Sequence, residues 1–211
     1  MIGDWKKARC LGNIALRHCP FIGRASIMSV AVVLSLSCGL VWAEDSSSEP
    51  PSAEAMEAIR LLGSKDSYER QRAFLRLEAL REPATAPLIR KWITDRDPWM
   101  RAGSLRALAA IQGEQAVGLL LERLADDRNP AVRRAILLGL EVFPSRRDQT
   151  LPAFIAALRD RNTEVRITAV DIVSRIDDPR AREAILTRRK RERRRDVQRV
   201  LAVAVRRIEA P

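Results

Sequence analysis

Cysteine and histidine are nearly missing from this chain, and where they do occur decides what they can do. The three cysteines (Cys10, Cys19, Cys38) and the single histidine (His18) all precede residue 44. If that leading segment is removed, the remainder holds no thiol and no imidazole. Disulfides, Cys/His metal centres and histidine-dependent triads are then excluded. Aromatic residues make up only 4% of the sequence. β-rich domains lean on aromatic and β-branched side chains, so the abundance of Ala, Leu, Val and Arg points to helices. No phosphate-binding glycine loop, no G-x-S-x-G and no His–Glu metal pair appears. The expectation is therefore a protein that is not an enzyme and uses no cofactor or metal.

Charge of one sign is absent from the body and concentrated at the ends. The whole chain carries +11 and a pI near 10.8. Residues 1–43 contribute +4, residues 44–187 balance to zero, and residues 188–211 contribute +7. The two basic ends need separate explanations.

The first end reads as an address. Residues 27–42, IMSVAVVLSLSCGLVW, form an uncharged apolar run behind Lys6, Lys7, Arg17 and Arg24. Val41-Trp42-Ala43 places small residues at −3 and −1 before the acidic Glu44-Asp45. This is the pattern of a secretory signal over 1–43. An uncleaved anchor and a lipoprotein box around Cys38 stay open as alternatives. In each exported case the downstream part lies outside the cytoplasm, in the periplasm of a bacterial envelope. Residues 44–52, EDSSSEPPS, offer nothing apolar to pack and read as a flexible linker.

From residue 53 onward the chain repeats itself. Segments beginning at Asp66, Asp97, Asn129 and Asn162 each carry Arg four residues later: Arg70, Arg101, Arg133 and Arg166. Apolar rows align behind them: Phe74, Leu105, Leu137, Val170; then Leu77, Leu108, Leu140, Val173; then Leu80, Ile111, Phe143, Ile176. Rows three residues apart make one apolar helical stripe. The Asp or Asn is placed to cap each helix, and Pro98 and Pro130 fall at the first helical position, where a missing N–H costs nothing. A second apolar stretch precedes each segment: Ala53–Leu62, Ala84–Ile93, Glu114–Ala125, Leu151–Leu158 and Arg180–Thr187. The unit is a helix A, a tight turn and a helix B. Val205 and Ile208 extend it to a fifth, degenerate copy. Without Gly or Pro between 180 and 210, the fifth pair reads as one long terminal helix. The expected fold is all-α, a right-handed α-solenoid of about five helical hairpins over 53–211, with repeats near 53–82, 83–113, 114–145, 146–178 and 179–209.

The D-x-P-x-V-R-x-x-A-like stretches, seen as Asp97–Arg101 and Asn129–Ala135, resemble HEAT repeats in the short form of the phycobilisome-lyase type. The resemblance implies that B helices line the concave surface, and that a ladder of turn acids and helix arginines links the repeats. Asp66, Asp97, Arg70, Arg101, Arg133 and Arg166 would be its members. Asn129 and Asn162 stand where an acid is expected, which makes the ladder only half ionic. The family includes bilin lyases and a di-iron hydroxylase; the metal motifs of the latter are missing.

The function expected from these features is a non-catalytic protein-binding scaffold or adaptor of the cell envelope, a monomer that binds its partner on the concave B-helix surface. Tyr68 and Trp99, at equivalent second positions of neighbouring B helices, would anchor the partner, with Arg72, Arg76, Arg106 and Arg134 beside them. Packing against the adjacent A helix is the competing role for the aromatics. The alternative is an electrostatic adaptor. Arg188, Arg189, Lys190, Arg191, Arg193, Arg194 and Arg195 put seven bases in eight positions, suited to anionic lipid or polymer. Export disfavours nucleic acid.

Overall fold

The computed structural model describes residues 49–209. Its A helices are α1 (Ala53–Leu61), α3 (Ala86–Arg90), α5 (Val117–Asp126), α7 (Arg147–Ala157) and α9 (Pro179–Arg191). Its B helices are α2 (Ser67–Leu80), α4 (Pro98–Gln112), α6 (Pro130–Glu141), α8 (Thr163–Val173) and α10 (Arg195–Glu209). No strand occurs among the described residues, and the ten helices form an α-solenoid of five hairpins.

The B helices begin where side-chain caps are available. Asp66 accepts from the Tyr68 N–H at 2.8 Å, Asp97 from Trp99 at 2.9 Å, Asn129 from Ala131 at 2.8 Å and Asn162 from Glu164 at 2.9 Å. Each bond satisfies a first-turn donor that has no partner inside the helix. The A helices are less regular. Short 3-10 turns at Pro83–Thr85 and Lys91–Thr94 flank α3, and another at Pro144–Arg146 precedes α7. Helix α7 starts at Arg147, earlier than the Leu151 start expected from sequence, and carries Pro152 inside it. A proline well within a helix reads in sequence as a helix beginning.

The B layer is the mechanical spine. Each B helix packs on the next, whereas successive A helices touch at fewer places. The more closely spaced layer of such a stack is its inner side. The first two apolar rows are buried throughout: Phe74, Leu105, Leu137 and Val170, then Leu77, Leu108, Leu140 and Val173. Between α2 and α4, Gly103 lies under the Phe74 ring. A Cβ there would come within 2.4 Å of that ring.

The terminal helix differs from the expectation. Glu192 has extended backbone (φ −75, ψ 135) and separates α9 from α10 without Gly or Pro. Its carboxylate accepts the N–H groups of Arg193 at 2.9 Å and Arg194 at 2.8 Å. The side chain thus stops one helix and begins the next.

Candidate functional site

The repeated arginines form the ladder that positions everything else. Arg101 Nε lies 2.7 Å from the Asp127 carboxylate, Arg133 Nη2 lies 2.7 Å from Asp160, and Arg166 Nε lies 3.0 Å from Glu192. The same arginines donate backward to turn carbonyls, Arg133 Nη1 to Asp127 O and to Arg128 O at 3.0 Å each. The acids in turn accept the cap residue's N–H, Asp127 from Asn129 at 2.8 Å and Asp160 from Asn162 at 2.7 Å. Every rung joins one B helix to the turn of the next repeat.

This corrects the expected membership. Among the rungs of the ladder, only Arg70–Asp97, at 3.7 Å, uses a capping acid. Asp66 caps α2 and belongs to no rung. The other acids sit two residues before the cap, so Asn129 and Asn162 do not weaken the ladder. The period that aligned Asp97, Asn129 and Asn162 also aligns Asp95, Asp127 and Asp160, and this second column was readable in the sequence.

Burial tends to raise the Asp127 and Asp160 carboxyls, but the hydrogen bonds from Arg101 and Arg133 and from the cap N–H groups outweigh it and hold both below the ordinary range. Glu192 is buried, yet the hydrogen bonds of Arg188, the Arg194 N–H and Arg166 bring it down to about 2.

On the exposed face of the B layer, one register runs Leu75, Arg106, Leu138, Asp171, Val203, all exposed. Ion pairs join neighbouring repeats along this face. Arg106 meets Glu78 at 2.7 Å between α4 and α2, and Arg175, just past the end of α8, meets Glu141 of α6 at 2.9 Å. Between α4 and α6, Ala109 and Leu138 stand where Glu78 and Arg106 pair, and Ala109 and Val142 stand where Glu141 and Arg175 pair. There the face opens into a groove of about 430 Å³ lined by Ala109, Ala110, Gly113, Ala135, Leu138, Gly139, Val142 and Phe143, with Glu78, Arg81 and Arg106 at its border. Leu138 and Val142 are 47% and 65% exposed. The small residues leave the room, and the two large apolar side chains make it a surface that gains by being covered.

The residues expected from sequence to bind a partner do not converge here. Arg106 alone borders the groove. Tyr68 and Trp99 lie at the opposite ends of their helices and are 64% and 78% exposed, so neither packs into the fold. Arg72 stands 5.9 Å over the Tyr68 ring. Arg76 faces away from the groove and pairs with Glu54 of α1 at 2.6 Å. Arg134 is exposed on α6.

The basic run is divided by Glu192. Arg188 is half-buried and pairs with Glu192, while Arg189, Lys190, Arg191, Arg193, Arg194 and Arg195 are exposed. Arg188 and Arg191 also border a groove of about 280 Å³ between α7 and α9 on the outer layer. Four of the bases end α9, where they complement the helix dipole. The basic run therefore does not lie on one uninterrupted helix. The signal reading of 1–43 and most of the linker lie outside the described residues.

Among curated protein sequences, none matches this chain significantly. The family model for HEAT repeats matches residues 56–141 and 119–206. The solved structures that resemble it include the complex of CpcE and CpcF of phycocyanin lyase from Nostoc sp. PCC7120. That match has a TM-score of 0.58 and 25% identity, and covers 72% of this chain and 98% of the other. It overturns the expectation of a non-catalytic scaffold or electrostatic adaptor and the exclusion of an enzyme. That exclusion rested on missing thiols and imidazoles. It overlooked that a binding subunit of a lyase complex needs neither, if substrate or partner brings the reacting groups.

Proposed function

This chain belongs to the HEAT-repeat family, and on that premise we propose that it is a subunit of a lyase-type complex whose groove between α4 and α6 holds the substrate. One observation carries the reading: both neighbouring junctions are bridged by an ion pair, and the groove has Ala109 and Leu138 where Glu78 and Arg106 pair, and Ala109 and Val142 where Glu141 and Arg175 pair. Its volume falls in the range of pockets that take small organic ligands, roughly 300–1,000 Å³. The likeness to a two-chain phycocyanin lyase along almost that chain's whole length supports the reaction class and a protein partner. Residues 49–209 hold no Cys or His. The contribution of this chain is therefore binding and orientation, with Arg81 and Arg106 available to an acidic group on the ligand.

A bilin is the probe that the family resemblance nominates. Titration of a bilin with the purified chain should give a saturable change in visible absorbance, and Leu138→Arg with Val142→Arg should abolish it without unfolding the helices. With apo-phycocyanin and a second HEAT-repeat chain added, mass spectrometry should detect bilin transfer or release. No binding by the wild-type chain, or equal binding by the variant, removes the reading.

A further inference from the structure

The turn between helices A and B carries a base at one fixed place in every repeat. Lys65, Arg96, Arg128, Arg161 and Arg193 each stand two residues before the first residue of the B helix, and all five are exposed. The row lies at the N-terminal edge of the B layer, opposite the groove.

The ladder fixes this row. Lys65 O accepts from Arg70 at 3.0 Å, Arg96 O from Arg101 at 3.2 Å, Arg128 O from Arg133 at 3.0 Å and Arg161 O from Arg166 at 3.4 Å. The first four turns are tied by their carbonyls, so Lys65, Arg96 and Arg128 present their side chains from a rigid base, while Arg161 Nη2 donates to Arg128 O at 2.8 Å and links two of the turns. The ladder arginines meanwhile occupy the nearby acids Asp97, Asp127, Asp160 and Glu192. None of the five row bases forms an ion pair among the described residues. Asp66, Glu69, Asp95, Asp126 and Glu164, also without an ion pair there, are acids that partly offset the row.

We infer that this edge docks an extended acidic segment of a protein partner, one carboxylate per repeat. Packed helices stand about 8–10 Å apart. An extended peptide advances about 3.3 Å per residue, so acids at every third position match the row. Phosphates along one strand of duplex DNA recur about every 3.4 Å, which would leave most of them without a base. Tyr68 and Trp99 stand beside the first two bases and offer aromatic surface to the residues between the acids, a feature of protein recognition. Preorganised turns reduce the ordering cost of such an interface.

The test uses the full chain and a fluorescein-labelled peptide of five Glu-Ala-Gly units, followed by anisotropy at low ionic strength. The comparison peptide has the same composition with all glutamates in one block. Binding of the spaced peptide should exceed that of the block peptide. Lys65→Gln, Arg96→Gln and Arg128→Gln together should weaken it about tenfold or more, with helicity and melting unchanged. Removing equal charge off the row, by Arg189→Gln, Lys190→Gln and Arg191→Gln, should weaken it less than about threefold. Equal losses in the two variants, equal binding of the two peptides, or tighter binding of duplex DNA than of the spaced peptide would each overturn the inference. Because the groove is not touched, these outcomes leave the lyase reading standing.

Discussion

Glu192 holds the last hairpin to the solenoid, and Glu192→Gln isolates its charge with little change of shape. The wild-type carboxylate receives Arg166 at 3.0 Å, Arg188, and the N–H groups of Arg193 and Arg194. Arg166 and Glu192 side chains are only 8% and 2% exposed, so solvent screening does little here. The amide keeps an acceptor but leaves two guanidiniums without a counter-charge. Breaking a buried pair in this way costs about 3–5 kcal/mol. Linkage sets the pH dependence. These contacts hold the folded carboxyl down at about 2, against an ordinary value of 4.5. Its stabilisation is thus present above about pH 4.5 and is lost as pH falls through 4.5 toward 2. The difference amounts to about 3 kcal/mol at neutral pH and shrinks to about 1 kcal/mol near pH 2.5. Denaturant unfolding of both proteins at the two pH values, with amide exchange read in α10, measures it. A neutral-pH cost under about 1 kcal/mol, or a wild-type advantage that does not shrink in acid, refutes the assignment of Glu192 as a ladder acid.

The other expectations are shorter. Asp127→Asn should destabilise by about 3 kcal/mol by leaving Arg101 unpaired, whereas exposed Asp126→Asn next to it should stay within about 0.5 kcal/mol; chemical denaturation compares them. Gly103→Ala forces a methyl into the Phe74 ring and should cost about 1–3 kcal/mol, partly recovered by Phe74→Leu in the same chain. Leu108→Ala and Leu140→Ala, both fully buried, should each cost about 2–5 kcal/mol in the same assay. If the apolar run before Ala43 directs export, N-terminal sequencing of protein from an envelope fraction should begin at Glu44; a product retaining residues 1–43 in the cytoplasm refutes that.

The solenoid was legible because its signals are local and repeated. A cap, a proline and three apolar rows recur at one spacing, so each copy corroborates the others. The ladder was only half legible. The arginine column stood out, but its acids were sought at the cap. In three of the four rungs the reach to the previous repeat belongs to the residue two positions before the cap, and only Asp97 serves both as cap, to Trp99, and as rung, to Arg70. Glu192 was hidden further, because the basic residues around it read as a charge run in which one acid carries no pattern. The groove was not legible as a site. Leu138 is an ordinary leucine in sequence; it becomes a feature only when the stack sets it beside Ala109, in the place where Arg106 meets Glu78 one repeat earlier. Composition also misled on reaction class: missing catalytic side chains bear on which atoms react, not on whether a chain belongs to an enzyme.

The two candidate surfaces depend on the same rungs in different ways. The basic edge is made of the turns that the ladder ties, so loss of one rung frees one base and leaves the others in place. The groove spans α2, α4 and α6 at their far ends, where the distance between helices is set by packing at Gly103 and along the buried rows. Each repeat contacts only its neighbours, so a disturbance at Glu192 should loosen α10 and reach the α4–α6 junction weakly. The consequence is a separation that experiment can use. Ladder variants at Asp127 should disturb both surfaces, because Asp127 lies at the junction of α4 with the third repeat. Ladder variants at Glu192 should spare bilin binding while weakening the fifth position of the acidic-peptide row.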